Sequence, residues 1–316
     1  MDPVEREPWW HERRAFVLSR PSAEGMRRLA RVVSRGSTPL RVRRLGGGLS
    51  TATNVVTLRT PRGRTVDVIV KRFPPGREAV ATNEWKQLGF AERIAVPTPE
   101  PIAFDRRGDW FGATAIVMSK LPGRPDVAPK DTARWLAEFA EVQAAIHSTS
   151  VAHAPASARA GELVAQPVPG LVQSDETRAA MNYIARRLAK AATRDVVVGH
   201  GDAHPGNVLW ARGRISGVVD WSHGGVLPRG HEVAYARADI AVLAGPSVAD
   251  RYLAVYERTS GTTVPDLAVW DLRQGIAAVR WNAVWAHAYR EQGAELTTAT
   301  ARRRARSFFR GALSRC

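Results

Sequence analysis

The first clear period in the chain is helical. Over residues 22–35, Met26, Leu29, Ala30 and Val33 recur on one face. A β-rich block follows. Residues 40–45 and 54–59 alternate as strands on either side of Gly46-Gly47-Gly48. Residues 65–73 form a third, β-branched run, entered through the turn-forming Pro61-Arg62-Gly63. Residues 77–88 read as a helix, and short strands are predicted near 101–105 and 113–118, before the breaker Leu121-Pro122-Gly123. Beyond Pro129 the period changes. Residues 131–147 and 175–192 are long helical patterns, the first with Asp131 as its cap, and the Ala/Pro/Ser-rich stretch 150–174 between them reads as loop. Residues 196–198, 207–210 and 215–219 are short strands, the last two around Arg212-Gly213, and from Glu232 onward the pattern is helical. The expected architecture is α+β and bilobal. A small antiparallel-sheet N-lobe spans 1–120, and a larger, mostly helical C-lobe spans 121–316.

Composition narrows the class. The chain has 316 residues and is 44% hydrophobic, enough for a sizeable core and too much for global disorder. Its one cysteine is Cys316, so an internal disulfide and a thiol metal cluster are both excluded. The charged start (MDPVEREPWWHERR) shows no secretory apolar region and no run reaches 18 apolar residues, so a cytoplasmic protein with no membrane span is expected.

The net charge of +16 matters through its distribution. Residues 1–100 hold 19 basic and 10 acidic side chains, and six arginines crowd into 302–315, whereas 195–301 holds 9 basic against 11 acidic. The basic excess therefore sits at the two ends. The Arg302–Arg306 run is expected to be a solvated helix face. These arginines are not interleaved with aromatics as in single-strand platforms, so nucleic acid is not the expected partner.

The sharpest chemistry lies in His200-Gly201-Asp202-Ala203-His204-Pro205-Gly206-Asn207, with Asp220 thirteen residues further on in Gly-Val-Val-Asp-Trp. Asp202 falls in a Gly/Pro-rich loop between apolar strands, where a carboxylate is held by its scaffold and suits a general base. Asn207 and Asp220 converge if their strands form a hairpin, and their oxygens are hard donors suited to Mg²⁺. One group to orient a hydroxyl and two to hold metal are what in-line phosphoryl transfer needs. The first half supplies the complement. Gly46, Gly47 and Gly48 let backbone approach a triphosphate, and Ser50 or Thr51 can donate to it. Lys71 lies in the run Val68-Ile69-Val70-Lys71, where a mid-strand lysine needs solvent or an anion. Glu84 on the following helix can pair with it.

These residues resemble the aminoglycoside phosphotransferase-type small-molecule kinases, a branch of the protein-kinase-like fold. The resemblance spans about residues 38–290 and is carried by His200-Gly201-Asp202, Asn207 and Asp220-Trp221. It implies Asp202 as catalytic base, Asn207 and Asp220 as Mg²⁺ ligands, and Lys71 as the phosphate-binding lysine with Glu84 its partner. It also implies Met118-Ser119-Lys120-Leu121 as the adenine hinge, read through backbone groups of Ser119 and Leu121. Gly201 replaces the arginine of protein kinases, Trp221 replaces Phe-Gly, and no Ala-Pro-Glu segment follows. These departures point to a small-molecule acceptor. Glu232 is expected to brace the catalytic loop, and it is also grouped with the acceptor candidates His223, Trp281, Asn282 and Trp285. His200, His204 and His147 are expected to be structural. The aromatic stripe Trp270, Trp281 and Trp285 fits a core face, with the last two kept as acceptor-pocket candidates.

The expected activity is ATP- and Mg²⁺-dependent transfer of the γ-phosphate to a hydroxyl of a small molecule, by a monomer. The acceptor is expected to be an antibiotic of aminoglycoside, peptide or nucleoside type. A metabolic kinase for a sugar or amino alcohol is the alternative. From other classes stand a nucleotide-binding pseudokinase, against which the intact Lys71, Asp202, Asn207 and Asp220 set argues, and a basic nucleic-acid-binding module.

Overall fold

The computed structural model describes residues 8–46, 48, 50–157 and 174–316, so Gly47 and most of the expected 150–174 loop lie outside the described residues. Two helices, α1 (Pro8–Leu18) and α2 (Ala23–Val33), precede the sheet. Ser22 caps α2 by accepting from the Gly25 N–H at 3.0 Å, and Met26, Leu29 and Ala30 turn inward as their spacing predicts. The sequence pattern did not predict α1. Its run is charged rather than striped, and of its described side chains Val17 alone is buried. It is held from outside. The Arg72 guanidinium lies over the Phe16 ring and donates to the carbonyl (2.5 Å) and hydroxyl (3.0 Å) of Ser19, just past the helix end.

The sheet consists of β1 (Thr38–Arg44), β2 (Ala52–Arg59), β3 (Thr65–Arg72), β4 (Pro101–Asp105) and β5 (Ala115–Ser119), in the order β1-β2-β3-β5-β4. Every pairing is antiparallel, with Thr53 opposite Lys71 and Lys71 opposite Ile116. One face packs on α2 through Val56, Leu58, Val68, Val70 and Val117. The other packs on α3 (Glu78–Phe90) through Phe73, Ala81, Leu88, Ile116 and Met118. Side chains alternate along a strand, so Lys71 shares the α3 face with Ile69. That second cluster continues into the rest of the molecule through Ile146, Val198, Val218 and Trp221.

After β6 (Arg124–Pro125) come α4 (Thr132–His147), α5 (Asp175–Ala191) and β7 (Val196–Gly199). Asp131 caps α4, and Ser174 caps α5 in a box with Thr177. β8 (Val208–Ala211) and β9 (Arg214–Val218) make a hairpin beside β6. β10 (Gly225–Pro228) pairs with β7 and escaped the sequence pattern, being four residues that begin with Gly and end with Pro. Then follow α6 (Arg229–Ala244), α7 (Pro246–Ser260), α8 (Leu267–Glu291) and α9 (Thr298–Leu313). α6 is buried along almost its whole length, with the other helices around it. Trp270 is fully buried in a cluster with α5 and α9, apart from the small cluster that holds Trp281 and Trp285. Among the arginines of α9, Arg302, Arg303 and Arg306 are exposed as expected. Arg304 instead turns back to donate to the Val242 and Leu243 carbonyls at 3.3 and 2.5 Å. No described helix is long and apolar enough to cross a membrane.

α6 also carries a buried charge. The Arg237 guanidinium, 1% exposed, donates to Asp271 of α8 and to Asp250 of α7, all at about 3.0 Å, and Arg315 reaches Asp271 at 2.7 Å. Breaking such a pair strands a charge in the core. Arg237→Ala is expected to cost about 3–5 kcal/mol in urea unfolding. The double replacement Arg237→Met with Asp271→Leu should recover much of that loss.

Candidate active site

Two carboxylates converge on one ammonium. The Lys71 Nζ lies 2.8 and 3.0 Å from the two oxygens of Glu84 and 2.7 Å from Asp220 Oδ1. β3 contributes the lysine, α3 the glutamate and the turn after β9 the aspartate. Lys71 and Glu84 are both buried, so neither charge is tolerable without the other. Burial alone would pull the Lys71 ammonium down, but Asp220 and Glu84 hold it above its usual value. Burial would likewise raise Asp220, yet Lys71 draws it well below the usual carboxylate range. Asp220 sits in the left-handed region (φ 67°, ψ 61°), which a short polar side chain tolerates best. Its Oδ1 also accepts from the Ser222 hydroxyl at 2.6 Å.

The segment from β7 to β8 is fixed from behind. Glu232, 1% exposed on the first turn of α6, accepts the N–H groups of His200 (2.7 Å) and Gly201 (3.0 Å). The His200 ring spans the loop. Its Nε2–H donates to the Val219 carbonyl at 2.9 Å, and its Nδ1 accepts from the Asp202 N–H at 3.3 Å. Burial lowers its pKa, which favours this neutral form. Gly201 has φ +74°, and a Cβ there would strike the His223 carbonyl, so the position has no room for a side chain. His204 Nδ1 accepts from Gly206 N–H at 3.1 Å and starts the 3₁₀ turn Pro205–Asn207. Asn207 thus lies just before β8 rather than inside it. Its Nδ2 donates to the Asp202 carbonyl (3.0 Å) and Oδ2 (3.2 Å), which leaves the amide oxygen as its remaining acceptor. Asp202 Oδ1 accepts a hydrogen bond from the Tyr235 hydroxyl.

These groups face a cleft of about 630 Å³ lined from both halves of the molecule. Gly46, Gly48, Ser50, Thr51, Lys71, Glu84, Met118, Ser119, Leu121, Asp202, Asn207, Asp220 and Trp285 all line it. Gly46 backs onto α8, where a Cβ would lie 3.3 Å from the Glu291 carbonyl, and Arg44 of β1 reaches the Glu291 carboxylate at 3.6 Å. The Ser119 N–H donates to the Glu100 carbonyl at 2.9 Å and is committed to the sheet edge, so of its backbone groups Ser119 has its carbonyl to offer the cleft.

The acceptor candidates need more correction. Glu232 is sealed behind the loop and braces it, so its grouping with the acceptor residues does not hold. His223 does not line the cleft. Its carbonyl accepts from Ser157 at 2.8 Å and packs on Gly201. Trp281 packs against Val284 and under Arg280, and Asn282 is buried with its Nδ2 on the Val279 carbonyl, so neither lines the cleft. In their place stand Tyr235, Asp239, Tyr289, Glu291 and Gln292. The signal for the first two was present in the sequence: 232, 235 and 239 share one face at i, i+3 and i+7. Burial pushes the Asp239 carboxyl up to about 6, helped by the Asp202 charge and opposed by His204 and the Tyr289 hydroxyl, which donates at 2.7 Å.

Residues 41–273 match the model of the phosphotransferase enzyme family. Aminoglycoside 3′-phosphotransferase of Streptomyces fradiae is 30% identical over 208 residues, 60% of this chain and 76% of that protein. Among solved structures, a thermostable mutant of aminoglycoside phosphotransferase APH(4)-Ia in complex with AMP-PNP and hygromycin B superposes with TM-score 0.61. It is 17% identical, and the match covers 92% of this chain and 98% of that one. Macrolide 2′-phosphotransferase of Brachybacterium faecium gives TM-score 0.55 at 18% identity, covering 90% and 98%. At these identities the two structures establish a shared fold.

The raised Asp239 carboxyl makes a pH prediction. Its folded pKa exceeds the unfolded value, so its stabilising contribution is present below about pH 4 and is lost as pH rises through about 6. Asp239→Asn removes that loss. Thermal melts should find the variant close to wild type at pH 4 and more stable at pH 8, by about 3 kcal/mol at most.

Proposed function

Because the chain belongs to the phosphotransferase enzyme family, we propose that it transfers the γ-phosphoryl group of ATP to a hydroxyl of an antibiotic, aminoglycoside-like before peptide or nucleoside. The observation that carries the reading is the Lys71 ammonium, bound to Glu84 on one side and Asp220 on the other, within a cleft that also presents Asp202. The relative from Streptomyces fradiae and the neighbour complexed with hygromycin B support an antibiotic acceptor.

The mechanism follows from what each group can do. Lys71 and the backbone around Gly46 and Gly48 hold the triphosphate, with Ser50 and Thr51 as hydroxyl donors. Met118 and Ile69 flank the base, whose edge meets the Ser119 carbonyl and the Leu121 N–H. Asp202 orients the acceptor hydroxyl and takes its proton as the new O–P bond forms and the bond to the ADP oxygen breaks. Asn207 and Asp220 fit Mg²⁺, since each keeps one hard oxygen when its other polar atom is committed to Asp202 or Lys71. When bound, Mg²⁺ neutralises charge on the phosphates. Near Asp202 on the cleft wall, Asp239 suits an acceptor that carries an ammonium group. Most of the acceleration is positional and electrostatic, with the general base adding roughly 10²–10⁴-fold.

Asp202→Ala is expected to lower kcat at least about a hundredfold while leaving MgATP affinity nearly unchanged. Asp220→Ala should lose Mg²⁺-dependent nucleotide binding, read by calorimetry, together with activity. The acceptor class is tested by coupled ADP release over aminoglycosides, peptide and nucleoside antibiotics, sugars and amino alcohols. Stimulation by an antibiotic is expected, and stimulation only by sugars or amino alcohols would overturn that acceptor class.

A further inference from the structure

The Tyr235 hydroxyl stands where an acceptor hydroxyl has to stand, hydrogen-bonded to the carboxylate oxygen of the proposed base. Tyr235 lines the cleft, one turn along α6 from the residue that braces the loop. The other oxygen of Asp202 accepts from Asn207 at 3.2 Å, with His204 Nε2 at 3.9 Å beyond it. Both oxygens therefore have a donor before any acceptor enters. Asp202 is nonetheless 20% exposed, so water reaches its neighbourhood.

An O-phosphotransferase faces a chemical problem at this point. Water is a hydroxyl compound, present at far higher concentration than any acceptor, and a base that orients an alcohol also orients water. Attack by water breaks the same bond to ADP and releases inorganic phosphate. We infer that Tyr235 is a resident hydroxyl that occupies Asp202 in the waiting enzyme, keeps water from the attacking position, and yields that place to the acceptor. The phenol suits this task. It donates one hydrogen bond as an alcohol does, yet its oxygen is tethered to α6 and its ring fills the space behind it. An acceptor supplies its own hydroxyl together with contacts to Asp239 and Trp285, whereas a lone water brings no such contacts. Tyr235 is thus a positioning residue that sets the balance between transfer and hydrolysis. The inference rests on the phosphotransfer reading above.

The test uses MgATP with no acceptor. Tyr235→Phe removes one oxygen and leaves the ring, so the variant should fold and melt as wild type does. The gap it leaves opens on the cleft, and a water needs only about 10–15 Å³. Acceptor-independent ADP release is expected to rise about fivefold or more in Tyr235→Phe, and adding Asp202→Ala should abolish the gain, since it depends on the base. Unchanged or slower hydrolysis by Tyr235→Phe, with MgATP still bound in calorimetry, would falsify the placeholder role and leave the phosphotransfer reading standing. If Tyr235 only oriented Asp202, hydrolysis would fall below wild type. Failure of both proteins to bind MgATP would remove the phosphotransfer reading, and the placeholder with it.

Discussion

One ammonium group ties the molecule together. Lys71 carries its charge into a site from which water is nearly excluded, and only Glu84 and Asp220 make that affordable. The three come from a strand, a helix and a turn separated by up to 149 positions in the chain. Lys71 and Glu84 would each be a costly buried charge alone, and with the half-buried Asp220 they mark where the phosphates of the proposed nucleotide would lie. The cleft is therefore set by electrostatic necessity as much as by shape.

Apolar contacts hold those charges in place. The cluster on the α3 face of the sheet runs without interruption from Phe73 and Leu88 through Met118 to Val218 and Trp221. Trp221 follows Asp220 directly, is fully buried, and donates its Nε1–H to the Val218 carbonyl at 3.2 Å. The left-handed backbone at Asp220 is thus pinned from the next residue, and the carboxylate is aimed at Lys71 by packing outside the cleft. Glu232 does the same for the other wall, since its carboxylate takes up two loop N–H groups that would otherwise be buried and unpaired.

Much of this was legible in the sequence. The β-branched run put Lys71 on a strand without deciding its face, the glycine run gave the β1–β2 connection, and the spacing from His200 to Asp220 carried the loop and hairpin. What escaped has a physical pattern. α1 shows no apolar stripe in its sequence, and its end is held by Arg72 through the Phe16 ring and Ser19. β10 is too short and too rich in Gly and Pro to register as a strand. The acceptor end was misplaced because the tryptophans on α8 catch the eye, while the cleft is furnished by polar residues whose periodicity is hidden in a helix that is buried all round. Trp285 does line the cleft, but Trp281 and Asn282, four and three residues earlier, face neighbouring packing.

α6 serves several masters at once. Its first turn fixes the loop through Glu232, its next presents Tyr235 to Asp202, and the one after presents Asp239, while nearly every other position is core. A change that re-aims this helix to suit a new acceptor would move the proposed base, Asp202, along with it. Diversification of the acceptor is thereby steered away from α6 and toward the end of α8, where Trp285 and Glu291 border the cleft and can vary without dragging the proposed catalytic loop along, whereas Gln292 just beyond is tied to that loop through the Gly206 carbonyl.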